Sequence, residues 1–91
     1  MSTKTVPYND SGINRLPDDR PVLYRILTAN GTTNYVGVAQ RGRVPERIAE
    51  HLGEIPGAKV QIEQFPSIGE ARAKETNVIS RAQPKYNEAG K

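Results

Sequence analysis

The sequence predicts a small α/β (α+β) domain, in which an antiparallel sheet of three strands is covered by two to three helices. Three observations carry this expectation. The dipeptide Asn30-Gly31 separates two runs of β-forming residues, PVLYRILTA and TTNYVGVA, which is a strong short-range signal for a hairpin. A third run, AKVQIEQF, alternates Val60 and Ile62 with polar residues, as a half-buried strand does. The stretches on either side of that run carry apolar residues at helical spacing.

Taken in order, the first 20 residues are polar, with two prolines, a glycine and no periodicity, and read as a flexible arm with Ile13 and Leu16 pinned on the domain. The folded domain is expected over 21–91. In its hairpin a two-residue Asn30-Gly31 loop places Tyr24 opposite Gly37 and Ile26 opposite Tyr35. Side chains alternate, so Tyr24, Ile26, Tyr35, Gly37 and Ala39 share one face. A four-residue loop keeps that parity, whereas a three-residue loop with a bulge does not. A glycine in mid-strand weakens a sheet, and Gly37 therefore points to a close approach or a bulge.

In QRGRVPERIAEHLGEIPG, Pro45 suits a first helical turn and Gly53 a C-terminal cap. Val44, Ile48, Leu52 and Ile55 form its apolar stripe, with Arg47 and His51 side by side on the margin. The last helix starts at a capping box, Ser67-x-x-Glu70, and runs to about Ala82, where Pro84 ends it. Its inward stripe is Ala71, Val78, Ile79 and Ala82, and Glu75 lies about 40° from Ala71 in projection, inside that stripe. A carboxylate there is costly unless it is paired, protonated or bound to a metal.

Composition narrows the chemistry. Ninety-one residues make one domain, and 35% hydrophobic content with one Phe and no Trp gives a thin, aliphatic core. Thirteen Lys and Arg against ten Asp and Glu leave a net charge of +3, compatible with a polyanionic partner or with ordinary solubility charge. The chain has no Cys and a single His, which excludes disulfides, thiol nucleophiles, and Cys- or His-rich metal clusters. No apolar run reaches membrane-spanning length and MSTKTVPYND lacks a hydrophobic signal core, so no membrane role and a cytoplasmic location are expected. A lone carboxylate suits a hard cation that keeps most of its waters. A nearby arginine suits phosphoryl charge, and tyrosine hydroxyls can position or deprotonate a water.

The ordered pieces Val22-Leu23-Tyr24, Tyr35-Val36-Gly37, Arg47-x-x-x-His51, Glu75 and Pro84-Lys-Tyr-Asn87 resemble the GIY-YIG nuclease family over roughly 21–87. The resemblance implies a metal-dependent endonuclease that hydrolyses DNA, with Glu75 holding Mg²⁺ or Mn²⁺. Arg47 would contact the scissile phosphate and His51 would assist it. Tyr24 and Tyr35 would line the pocket, one of them ordering or activating the attacking water. Asn87 would brace the site, and Gly37 would clear its floor on the face where Glu75 and Arg47 arrive. Arg41, Arg43, Lys74 and Lys85 are the candidate DNA-contacting residues, with Arg41 or Arg43 competing with Arg47 for the phosphate.

The sequence departs from the family in three places. Val22 and Leu23 stand where the first motif has Gly and Ile. RGRVP lengthens the strand-to-helix connection, and GEIPGA replaces a further helix. With no recognition domain attached, sequence specificity is expected to come from a protein partner or to be absent. A catalytically silent DNA-binding module of the same fold, and a protein-interaction domain, are the competing readings.

Overall fold

A computed structural model describes residues 3–82. In chain order the elements are β1 (Thr3–Pro7), α1 (Asp10–Ile13), β2 (Val22–Leu27), β3 (Thr33–Ala39), α2 (Val44–Ala49), β4 (Lys59–Gln64) and α3 (Ile68–Ala82). The strands form one antiparallel sheet in the order β1-β4-β2-β3. The sheet thus has four strands, not the three expected. The extra strand comes from the segment read as an arm: Thr3–Pro7 pairs along β4, with Val6 opposite Val60. Val6, Ile13 and Leu16 are buried in the core, so this segment is part of the fold.

The hairpin keeps the expected register by a different route. The chain turns through Ala29, Asn30 and Gly31, with Gly31 at φ 90° and Thr28 N–H donating to the Thr32 carbonyl. That three-residue turn alone would reverse the faces. Leu27 pairs with Thr33 but Ile26 with Tyr35, so Asn34 is an extra residue on β3 and the bulge restores the parity. The side chain of Asn34 is buried and donates to the Pro56 carbonyl at 2.8 Å, which fixes the bulge in place. Tyr24 consequently stands opposite Gly37, as the sequence indicates.

Each face of the sheet has its own core. Val6, Val22, Tyr24, Ile26, Ala39, Val60 and Ile62 project to one face, where Ile13, Leu16, Val44, Ile48 and Ile55 from α1, α2 and their flanking turns cover them. Leu23 and Val36 project to the other face and pack with Phe65 and Ala71 beneath α3, beside Val38, Val78 and Ile79. Of the apolar stripes read from the sequence, Val44 and Ile48 of α2 and Ala71, Val78 and Ile79 of α3 pack in the cores. Helix α2, however, ends at Ala49 with Glu50 at its C-cap, so Leu52, the expected cap Gly53 and Ile55 lie in the turns beyond it. Ser67 accepts the Glu70 N–H at 3.3 Å, as the expected capping box requires.

Candidate functional site

The site is assembled around β3, which is an edge strand. Tyr24 is almost fully buried, and its hydroxyl lies 2.8 Å from Nε2 of His51. The sequence sets up this pair: Gly37 is bare because the Tyr24 ring lies across it. A Cβ on Gly37 would stand 2.5 Å from both Cζ and the hydroxyl oxygen of Tyr24. Tyr35 is half-buried on the same face, its ring centroid 6.1 Å from that of Tyr24 and 4.6 Å from that of His51. The three rings make one cluster at the foot of α2. His51 lies just past that helix, in a tightened turn where its N–H donates to the Ile48 carbonyl.

Electrostatics tie this cluster to the two helices. Burial is the main cause that raises the Tyr24 pKa, with Tyr35 adding to it and the Arg47 charge opposing. Tyr24 is therefore a neutral phenol at pH 7. Burial, followed by the Arg47 charge, lowers the pKa of His51, against the smaller influence of Glu50 and Glu54. A neutral His51 can accept the Tyr24 proton at Nε2 or donate there, according to its tautomer. Glu75 is half-buried on α3 and its pKa is raised, chiefly by burial, with Arg72 and then Arg47 opposing. The ion pairs among the described residues are Arg43–Glu46, Arg47–Glu50 and Lys74–Glu63, none involving Glu75. One guanidinium, that of Arg47, thus acts on Tyr24, His51 and Glu75 together.

The sheet separates these groups in a way the sequence does not reveal. The sequence places Glu75 on the face of the tyrosines, but α3 packs on the opposite face and α2 on theirs. The expected single floor shared by Glu75 and the tyrosines is therefore not formed, and the two helices meet instead beside the edge strand β3. An open cleft of about 300 Å³ lies there, lined by Gln40 at the end of β3, by Arg43, Glu46, Arg47 and Glu50 of the α2 wall, and by Arg72 of α3. Of the expected catalytic residues that are described, Arg47 lines this cleft, whereas Tyr24, Tyr35, His51 and Glu75 lie outside its lining.

The remaining candidates divide. Arg43 reaches the cleft, 3.4 Å from Glu46. Arg41 lines a separate groove with Asp19, Arg20, Pro21 and Pro66. Lys74 is taken up by Glu63 of β4 at 3.6 Å, on the sheet face under α3. Lys85 and Asn87, with the Pro84-Lys-Tyr-Asn87 motif, lie outside the described residues. Sequence reasoning missed Asp18. Its Oδ1 accepts the Val44 N–H at 2.9 Å and its carbonyl accepts the Gly42 N–H at 3.0 Å, so it caps the start of α2 from a distant part of the chain. Arg43 occupies the cap position without a side-chain cap bond of its own, a deficit that could have signalled an acceptor from elsewhere.

No group of three or more acidic or histidine side chains is poised to hold a metal among the described residues. The donor set that remains is one half-buried carboxylate. It fits a divalent cation of the magnesium type, which takes one or two carboxylates and keeps several waters.

No protein-family model matches the chain, and no curated protein matches it. Among solved structures it is similar to the GIY-YIG N-terminal endonuclease domain of UvrC from Thermotoga maritima, bound to its catalytic divalent cation, magnesium. The TM-score is 0.66 at 24% identity, covering 82% of this chain and 94% of that one. A tyrosine-to-phenylalanine point mutant of the same domain, also bound to its catalytic divalent cation, gives a TM-score of 0.66 at 25% identity over 82% and 93% of the two chains. With its four-stranded antiparallel sheet flanked by helices, the chain has the fold of a GIY-YIG endonuclease domain.

Proposed function

We propose that this protein is a metal-dependent GIY-YIG-type endonuclease that hydrolyses DNA phosphodiester bonds. The observation that carries the reading is Glu75. It is a half-buried carboxylate without an ion-pair partner among the described residues, and the Arg47 charge that acts on the Tyr24–His51 pair also acts on it, after that of Arg72. Burying a charge in this way destabilises a domain, and a catalytic cation is a reason to retain it. Val22 and Leu23, the departures from the first family motif, are core residues on the two faces of the sheet, so they leave the site chemistry untouched.

Glu75 would hold Mg²⁺ or Mn²⁺, which supplies Lewis-acid stabilisation of charge on the scissile phosphate. Arg47 would bind that phosphate through its planar fork and remain charged throughout. To do so it exchanges Glu50, 3.8 Å away in an exposed pair of little energetic weight, for a phosphate oxygen. Tyr24 cannot act as a free phenolate at neutral pH. Too buried to line the cleft, its hydroxyl would orient the His51 imidazole through the bond to Nε2 and not contact the attacking water itself. Tyr35, more accessible than Tyr24, would orient that water. The protein would work in the cytoplasm, cutting without sequence specificity or with specificity supplied by a protein partner.

Plasmid and single-stranded DNA incubated with Mg²⁺ or Mn²⁺ test this, beside Glu75→Ala and Arg47→Ala. Cleavage by the parent with a loss of at least about 10²-fold in each variant is expected, the scale of removing one transition-state charge contact. Equal nicking by the parent and Glu75→Ala would sink the assignment. A salt-dependent gel shift without cleavage would identify a catalytically silent DNA-binding module instead.

A further inference from the structure

The cleft at the edge of β3 has two walls that differ in charge. On the α2 wall, Arg43 and Arg47 each stand beside a glutamate one turn along, Glu46 at 3.4 Å and Glu50 at 3.8 Å. These exposed pairs contribute little energy, but they leave that wall without net charge. The α3 wall presents Arg72, which reaches the same cleft from the opposite face of the sheet. Among the described residues no carboxylate lies within ion-pairing distance of the Arg72 guanidinium. Arg72 precedes Glu75 by one helical turn, and its charge acts on that carboxylate ahead of the charge of Arg47. Among the described residues it is the surplus cation of the cleft, with no glutamate in an ion pair to release before it takes an anion.

We infer that Arg72 is a second phosphate anchor, holding a phosphodiester next to the one that Arg47 contacts and so fixing the path of the nucleic-acid strand across the edge of β3. The inference rests on the nuclease reading of the site and adds to it a substrate contact outside the family motifs quoted above. The fork of an exposed guanidinium matches two phosphate oxygens, and a contact away from the reacting phosphate acts on binding, not on the chemical step.

The test separates this inference from the nuclease reading. Binding of labelled duplex and single-stranded oligonucleotides is measured against salt by fluorescence anisotropy in EDTA, in a Glu75→Gln background that removes cleavage. Adding Arg72→Gln should lower the slope of log affinity against log salt by about 0.9 for duplex and about 0.7 for single strands, the loss of one phosphate contact. Affinity at low salt should fall several-fold, Arg72→Lys should keep the slope, and Lys4→Gln on β1, at the far edge of the sheet, should change neither. In the active protein Arg72→Gln should raise KM and leave kcat in place. An unchanged slope for Arg72→Gln beside a reduced slope for Arg47→Gln overturns the inference and leaves the nuclease reading intact. Absence of salt-dependent binding by the parent overturns both.

Discussion

Two residues show how single side chains set the site. Gly37 is bare because Tyr24 occupies the space a Cβ would fill, so Gly37→Ala must push the ring off its bond to His51. A loss of about 1–3 kcal/mol is expected, the usual cost of overpacking a core. Urea denaturation measures it, and a variant as stable as the parent would show that the ring moves freely. Glu75 has the opposite signature. Its pKa is raised in the folded protein from the ordinary 4.5, so the folded state holds this proton more tightly than the unfolded chain. The stability it contributes is complete below about pH 4.5 and is lost as pH rises through the raised value. In metal-free buffer, Glu75→Gln should therefore be more stable than the parent at about pH 7, with the gap closing towards about pH 4. Added Mg²⁺ should stabilise the parent alone. A Glu75→Gln protein less stable than the parent at neutral pH would mean that the carboxylate is held by structural partners instead.

At the scale of elements, the placement of α2 depends on a residue 26 positions before its start. Asp18 supplies an acceptor for the first helical N–H, that of Val44, where Arg43 at the cap position supplies none. Asp18→Ala should cost about 1 kcal/mol, the size of a lost N-cap, and Asp18→Asn should keep most of it. Since α2 carries Arg43 and Arg47 into the cleft, cleavage by the alanine variant should fall further than its stability alone explains. Denaturation and rate measurements on both variants check this. A rate equal to that of the parent would separate the cap from the site. The β3 bulge at Asn34 is a second such device, because it offsets the three-residue turn and returns Tyr35 to the face of Tyr24. Loop length was not legible from Asn30-Gly31, since that dipeptide serves two- and three-residue turns alike.

For the whole molecule, the segment 3–16 closes the sheet. Deleting residues 1–16 uncovers one edge of β4 and removes Val6, Ile13 and Leu16 from a thin core. Losing one buried aliphatic side chain costs about 2–5 kcal/mol, and a domain holds only about 5–15 kcal/mol in all. The truncated protein should therefore lose its cooperative unfolding transition, read by circular dichroism on heating; a transition at the parental midpoint would return this segment to the role of an arm. The sequence missed β1 because TKTVP offers one apolar residue and a proline, too little for a local signal, and its partner strand, Lys59–Gln64, lies far along the chain. What the sequence by itself determined is local: the facing of Tyr24 and Gly37, the apolar positions of α2 and α3 that pack on the sheet, the Ser67 cap, and a half-buried carboxylate at position 75. Periodicity and turn chemistry act over a few residues, so a reader of the chain can follow them. Only the tertiary structure decided that β1 pairs with β4, that Asp18 caps α2, and that α2 and α3 lie on opposite faces, bringing Arg47 and Arg72 to one cleft beside an edge strand. Those outcomes depend on which distant surfaces bury each other, and no local pattern encodes that.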